Sequence, residues 1–159
     1  MSRFSLLPAA ALNDSYFMGT PPSTLQRPTA LVIDDESAVR WTIRRALEPE
    51  VCKVVEAADG VSGIQMVSRS TPPIDLVLVD LMLPNIDGLE VIEILSRSHP
   101  GLPLLCITGF GATATALLES TLTDYRIPVL LKPFKGEELA EAVRVLLERA
   151  TRRSAHAAE

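Results

Sequence analysis

The chain has no uninterrupted apolar run long enough to cross a bilayer, although 47% of its 159 residues are hydrophobic. It has only two cysteines, Cys52 and Cys106, with no CxxC spacing and no Cys/His cluster. No zinc site is therefore suggested, and buried free thiols in a reducing compartment are the simpler reading. It has no basic stripe, and its net charge is −5, so no direct nucleic-acid binding is expected. Arg3 and the short apolar stretch Leu6–Leu12, broken by Pro8, resemble a signal peptide only weakly. Together these absences lead us to expect a cytoplasmic chain with one core-bearing domain and no membrane contact.

Three stretches differ in character. Residues 1–28 hold four of the twelve prolines, many Ser, Thr and Ala, and no helical or strand period. They read as a mobile extension. Residues 29–149 read as the folded domain, and 150–159 as a short polar tail. Both ends carry net positive charge, so the acidity is concentrated in the domain.

Within the domain, short apolar runs alternate with helical patterns. Ala30–Asp34 (ALVID), Lys53–Ala57, Leu76–Asp80 (LVLVD), Leu104–Thr108 and Val129–Leu131 read as strands. Helices are expected over Ser37–Leu47 with Ser37 as its cap, Gly60–Ser70, Leu89–Ser98, Ala112–Ser120 and Glu137–Arg149. Val61, Ile64 and Val67 mark the inward face of the second helix. Val39, Thr42, Ile43, Ala46 and Leu47 mark that of the first. Five such units suit a doubly wound, five-stranded parallel α/β sheet.

The strand ends carry the chemistry. Asp34 and Asp35 follow the first strand, Asp80 ends the third, Thr108 the fourth, and Lys132 follows the fifth. The carboxyl ends of parallel strands lie at one edge of a sheet, where ligands bind. Three carboxylates gathered there repel one another and need a cation. A hydroxyl and an ammonium beside them suit an oxyanion. This is a chemical site for Mg²⁺ and a phosphoryl group.

Four motifs in order, Asp34-Asp35-Glu36, the run DLMLPNIDG (Asp80–Gly88), Ile107-Thr108-Gly109 and Lys132-Pro133-Phe134, resemble those of response regulator receiver domains. The resemblance covers about Thr29 to Arg149. It implies a flavodoxin-like sheet in the order 2-1-3-4-5. It also implies Asp80 as phosphoacceptor, Lys132 pairing with the phosphoryl group and Thr108 as switch hydroxyl. Asp34, Asp35, Asp80 and the backbone carbonyl of Met82 would be the Mg²⁺ ligands. Glu36 reads instead as a solvated helix-start residue. The Lys132–Pro133 bond is expected to be cis. Pro84, Asp87 and Gly88 form the turn after Asp80, Gly88 supplying backbone shape.

The implied function is a stand-alone receiver in a two-component or phosphorelay pathway. Its donor would be a histidine kinase or histidine phosphotransfer protein, and its output a downstream effector protein. A receiver module of a larger regulator or hybrid kinase is the alternative, as is a degenerate receiver that docks without phosphorylation. Catalysis beyond its own phosphorylation and dephosphorylation is not expected. An aspartyl phosphatase would want a second acid two residues after Asp80, where Met82 stands. A nucleotide or flavin module would want a Gly/Ser/Thr-rich cradle after strand one, where the chain has three acids.

Two departures stand out. The family's switch position three residues before Lys132 is usually aromatic but is Val129 here, and nearby Tyr125 reads as packing on a loop. Met82 and Phe110, both bulky and apolar, would shield a phosphoryl group on Asp80 from water. Trp41 lies opposite the inward stripe of the first helix among Arg40, Arg44 and Arg45. It is a candidate anchor for the phosphodonor.

Overall fold

The computed structural model describes residues 26–109, 120 and 122–157. Five parallel strands form one sheet: β1 (Thr29–Ile33), β2 (Lys53–Ala57), β3 (Leu76–Asp80), β4 (Leu104–Thr108) and β5 (Val129–Leu131). Their order is β2-β1-β3-β4-β5, the order that the resemblance implied. The described helices are α1 (Ser37–Leu47), α2 (Gly60–Arg69), α3 (Gly88–Ser98) and α4 (Gly136–Ala157), the last following β5. The expected helix over Ala112–Ser120, apart from Ser120, lies outside the described residues, as do Phe110 and residues 1–25 of the expected extension.

Period-two alternation divides each central strand between two cores. Leu31 and Ile33 of β1, Val77 and Val79 of β3, and Leu104 and Cys106 of β4 join one cluster with Val91, Ile92 and Leu95 of α3. Ala30 and Val32, Leu76 and Leu78, and Leu105 and Ile107 join the other with Ile43 and Leu47 of α1 and Leu139 and Val143 of α4. Both faces are covered, so these strands carry no polar face. Each large aliphatic side chain so buried contributes roughly 2 kcal/mol through removal from water. The edge strand β5 differs: Val129 and Leu131 are exposed, while Leu130 packs against the second core.

The helix starts follow capping chemistry, with one correction. Asp59 caps α2, accepting from Ser62 N at 2.8 Å, and Asp87 caps α3, accepting from Glu90 N at 2.8 Å. Ser37 does not cap α1. The cap position falls to Glu36, which makes no side-chain capping bond. Asp34 Oδ1 instead accepts from Glu36 N at 2.8 Å and secures that turn.

Two inward stripes are also corrected. Thr42 is exposed and returns its hydroxyl to Ala38 O at 2.9 Å. Val61 is 49% exposed, while Ile64 and Val67 pack against the core as expected and buried Gly63 lies against β1. A Cβ on Gly63 would come within 2.3 Å of Ile33 Cδ1, so the helix lies too close to β1 for a larger residue. Finally, α4 runs to Ala157 rather than ending at Arg149, and residues 151–157 are exposed along it. No helix among the described residues is long and apolar enough to cross a membrane.

Candidate functional site

Strand register builds the site. Ile33 of β1 pairs with Val79 of β3, so Asp34 and Asp80 leave neighbouring strands side by side. Asp80 pairs with Ile107, and Thr108 with Leu131. That brings Thr108 and Lys132 to the same carboxyl edge. Lys132 N donates to Thr108 O at 2.8 Å, which holds the lysine beside the strand that carries the hydroxyl. The Lys132–Pro133 bond is cis, as the resemblance implied, and Thr71–Pro72 is a second cis bond that it did not.

The centre of the site is one ammonium between two buried carboxylates. Lys132 Nζ donates to Asp80 Oδ2 at 2.8 Å and to Asp34 Oδ2 at 2.9 Å. Asp34 and Asp80 are only 2% and 4% exposed, and Thr108 is buried beside them. The remaining carboxylate oxygens accept backbone amides: Asp34 Oδ1 from Glu36 N, and Asp80 Oδ1 from Met82 N at 3.0 Å.

Two acids sharing one base leave the three groups with a net negative charge. Burial raises the Asp34 carboxyl, and the Asp80 charge adds to it, against the lowering effect of bonds from Lys132 and Glu36. Burial alone would lower Lys132, but its bonds to Asp80 and Asp34 outweigh that and hold it above the usual lysine value.

Carboxylate oxygens of Asp34, Glu36 and Asp80 lie within 4.8 Å of one another, a spacing that one cation can span. Asp35 is exposed and outside that group. Glu36, read from the sequence as a solvated helix-start residue, is exposed but aims its carboxylate back over the sheet edge. Oxygen donors of this kind fit a hard divalent cation such as Mg²⁺, which takes few protein carboxylates and keeps several waters. Met82 is 60% exposed, and its backbone N–H donates to Asp80 Oδ1.

The turn after Asp80 explains Gly88. A Cβ there would stand 2.0 Å from Asp80 O and 2.6 Å from Leu81 Cα. Glycine is required for close approach of α3 to the backbone that carries Asp80. Gly88 N also donates to Leu81 O at 3.0 Å, and Asn85 takes the left-handed conformation at φ 70°. Tyr125 accepts from Arg97 Nε at 3.4 Å and packs against the α3-side core. It thereby ties the loop before β5 to α3.

Arg40, expected only as a basic neighbour of Trp41, reaches the site. Its Nη1 donates to Asp34 O at 2.8 Å and its Nε to Glu56 Oε2 at 3.0 Å. Its spacing from Asp34, one turn into α1, was the available signal.

A family model described as the response regulator receiver domain matches residues 30–144. Response regulator MprA of Mycobacterium leprae (strain TN) is 39% identical over 121 residues, which are 75% of this chain and 50% of that protein. The chain thus spans about half the length of the curated relatives it matches. A crystal structure of NtrX from Brucella abortus in complex with ATP superposes with a TM-score of 0.73 at 26% identity, covering 82% of this chain and 29% of that one. A CheY-like receiver domain protein from Methanospirillum hungatei JF-1 superposes with a TM-score of 0.72 at 22% identity, covering 79% of this chain and 98% of that one.

Proposed function

The chain belongs to the response regulator receiver family, and from that membership we propose that it accepts a phosphoryl group on Asp80 from a phosphohistidine protein and signals through a protein partner. The observation that carries this reading is the Lys132 ammonium held between Asp34 and Asp80 in a buried, oxygen-lined site. Asp80 supplies the nucleophilic oxygen. Lys132 is placed to leave its carboxylate partners and pair with a phosphoryl oxygen. Thr108, buried at the end of the next strand, is the hydroxyl that turns toward the new group and alters the loop behind it.

Mg²⁺ would be held by Asp34 and Asp80, with Asp35 and the Met82 carbonyl by family resemblance and Glu36 by proximity. When bound, it offsets the charge that develops on the transferring oxygens. The protein supplies alignment and fixed charge, the larger part of phosphoryl-transfer catalysis. Phosphorylation then shifts a two-state equilibrium on the face around β5 and α4. With Val129 exposed on that face in place of an aromatic, the output surface differs from the family's usual one. We place this chemistry in the cytoplasm.

Calorimetric titration with Mg²⁺ tests the ligand set. Asp34→Asn should weaken binding about tenfold or more, as loss of a charged ligand does. Asp35→Asn and Glu36→Gln, measured side by side, show which neighbouring acid contributes. Unchanged affinity in all three variants would refute the site.

A second reading is favoured by two observations: the chain is the receiver portion of a longer regulator. Its relatives are about twice the matched length, and α4 continues past the family match, which ends at residue 144, to Ala157, with residues 151–157 exposed. Such a helix suits a connector. What the longer protein binds, nucleic acid included, is then a property of its additional portion.

A further inference from the structure

We propose that Arg40 is a positioning residue for the acidic loop. It holds the Asp34 peptide so that the Mg²⁺-binding acids keep their spacing against mutual repulsion; this rests on the reading of the site given above. The geometry is specific. Every polar group of Asp34 has a partner. Its N–H donates to Ala57 O at 3.2 Å. Its two carboxylate oxygens accept from Glu36 N and Lys132 Nζ. Its carbonyl accepts from Arg40 Nη1 at 2.8 Å. Of these four bonds, the carbonyl's alone depends on a side chain of α1.

Arg40 is itself aimed. Its Nε donates to Glu56 Oε2 at 3.0 Å, and its side chain is 15% exposed. Glu56 belongs to β2, where it pairs with Val32 of β1, and its other oxygen accepts from Arg44 Nε at 2.7 Å. Both peptide groups of Asp34 are thereby tied to β2, the N–H directly and the carbonyl through Arg40 and Glu56. Glu56 therefore anchors a guanidinium whose far end fixes the residue beside the phosphoacceptor.

Only arginine fits this task. Its planar fork sends Nε and Nη1 to two different acceptors at once, whereas a lysine ammonium is a point charge on a flexible stem. Partners one step removed from a metal, which orient its ligands, commonly change metal affinity by about 10–100-fold when removed.

The test compares Arg40→Ala with Arg44→Ala. Both variants lose a Glu56 partner, but only the first loses the loop contact. Amide hydrogen exchange is followed at Asp35 and Glu36 without metal, and Mg²⁺ affinity is measured separately by calorimetry. Arg40→Ala should speed exchange at those two amides and weaken Mg²⁺ about tenfold, while Arg44→Ala leaves both within about twofold. If Arg40→Ala does not fold, Arg40→Lys decides, because it keeps the charge and should still show faster loop exchange. Equal exchange in the Arg40 and Arg44 variants would overturn the proposal. A wild-type protein that binds no Mg²⁺ would instead overturn the reading of the site, and the metal-free exchange would still decide the role of Arg40.

Discussion

The Lys132 ammonium lies 2.8 Å from Asp80 Oδ2, a contact that joins residues 52 positions apart in the chain. The same nitrogen serves Asp34, so one base neutralises half of a buried two-acid charge. Removing it leaves two carboxylates without a counter-charge. Lys132→Met should therefore lower unfolding stability by about 2 kcal/mol or more in urea titrations at neutral pH. Adding Mg²⁺ should raise the stability of this variant more than that of wild type, because the cation takes over the missing charge. An unchanged urea midpoint would contradict the pairing.

Cys52 and Cys106 should be inert in the folded protein. Burial pushes their thiols up to about 11 and about 12, and only the thiolate reacts readily. At pH 8 an aromatic disulfide reagent should label neither cysteine in the native state and both after unfolding. Rapid native labelling of Cys106, which lies within β4, would show that the sheet opens far more often than its packing implies.

Glu56 gives a pH dependence of defined sign. Burial acts to raise its carboxyl, but bonds from Arg44 and Arg40 and their charges outweigh that and hold it below its ordinary value of 4.5. A depressed acid stabilises the fold above its unfolded value, and that contribution is lost as pH falls through the folded one. Glu56→Gln should cost on the order of 1 kcal/mol at pH 7. The difference from wild type should fade as pH drops below about 4.5. A difference that persists at pH 3 would mean that packing, not charge, carries the effect.

Trp41 is 58% exposed, and the Arg45 guanidinium lies 4.9 Å from its ring centroid. A large aromatic kept on the surface under a cation contributes little to the core. Trp41→Ala should leave the unfolding midpoint and phosphorylation by a small acyl phosphate unchanged. It should slow phosphoryl transfer from the donor protein about tenfold, as loss of an interface anchor does. Equal transfer rates would remove α1 from the docking face.

Much of this arrangement was legible because the strand ends speak in residue type. Runs such as LVLVD switch from apolar to acidic at the point where the sheet ends, and parallel register then brings Asp34 and Asp80 together. Alternation along β1 and β3 likewise divides itself between two cores. What was not legible depends on direction rather than type. Val61 marks a helical stripe by hydrophobicity, yet α2 leaves it exposed and turns Gly63 to the sheet because β1 lies so close. Arg40, Arg44 and Arg45 read as one basic face, while in the fold the first two turn to Glu56 and only Arg45 stays over Trp41. The apolar stripe of α4 ends near Leu147, but the Ala- and Arg-rich residues beyond it sustain a helix with little burial. Glu36 reads as a solvated helix-start residue and is exposed, but the approach of its carboxylate to Asp34 and Asp80 depends on a side-chain rotamer that residue type does not give.

The central claim is that Asp80 is the phosphoacceptor. Its most direct measurement is intact mass after incubation with a small acyl phosphate and Mg²⁺, followed by peptide mapping of the labelled protein. Wild type should gain one phosphoryl group, located on the peptide containing Asp80 and absent when Mg²⁺ is chelated, and Asp80→Asn should gain none. Labelling of Asp80→Asn to the wild-type level, or a phosphoryl group mapped to another residue in wild type, would contradict the account.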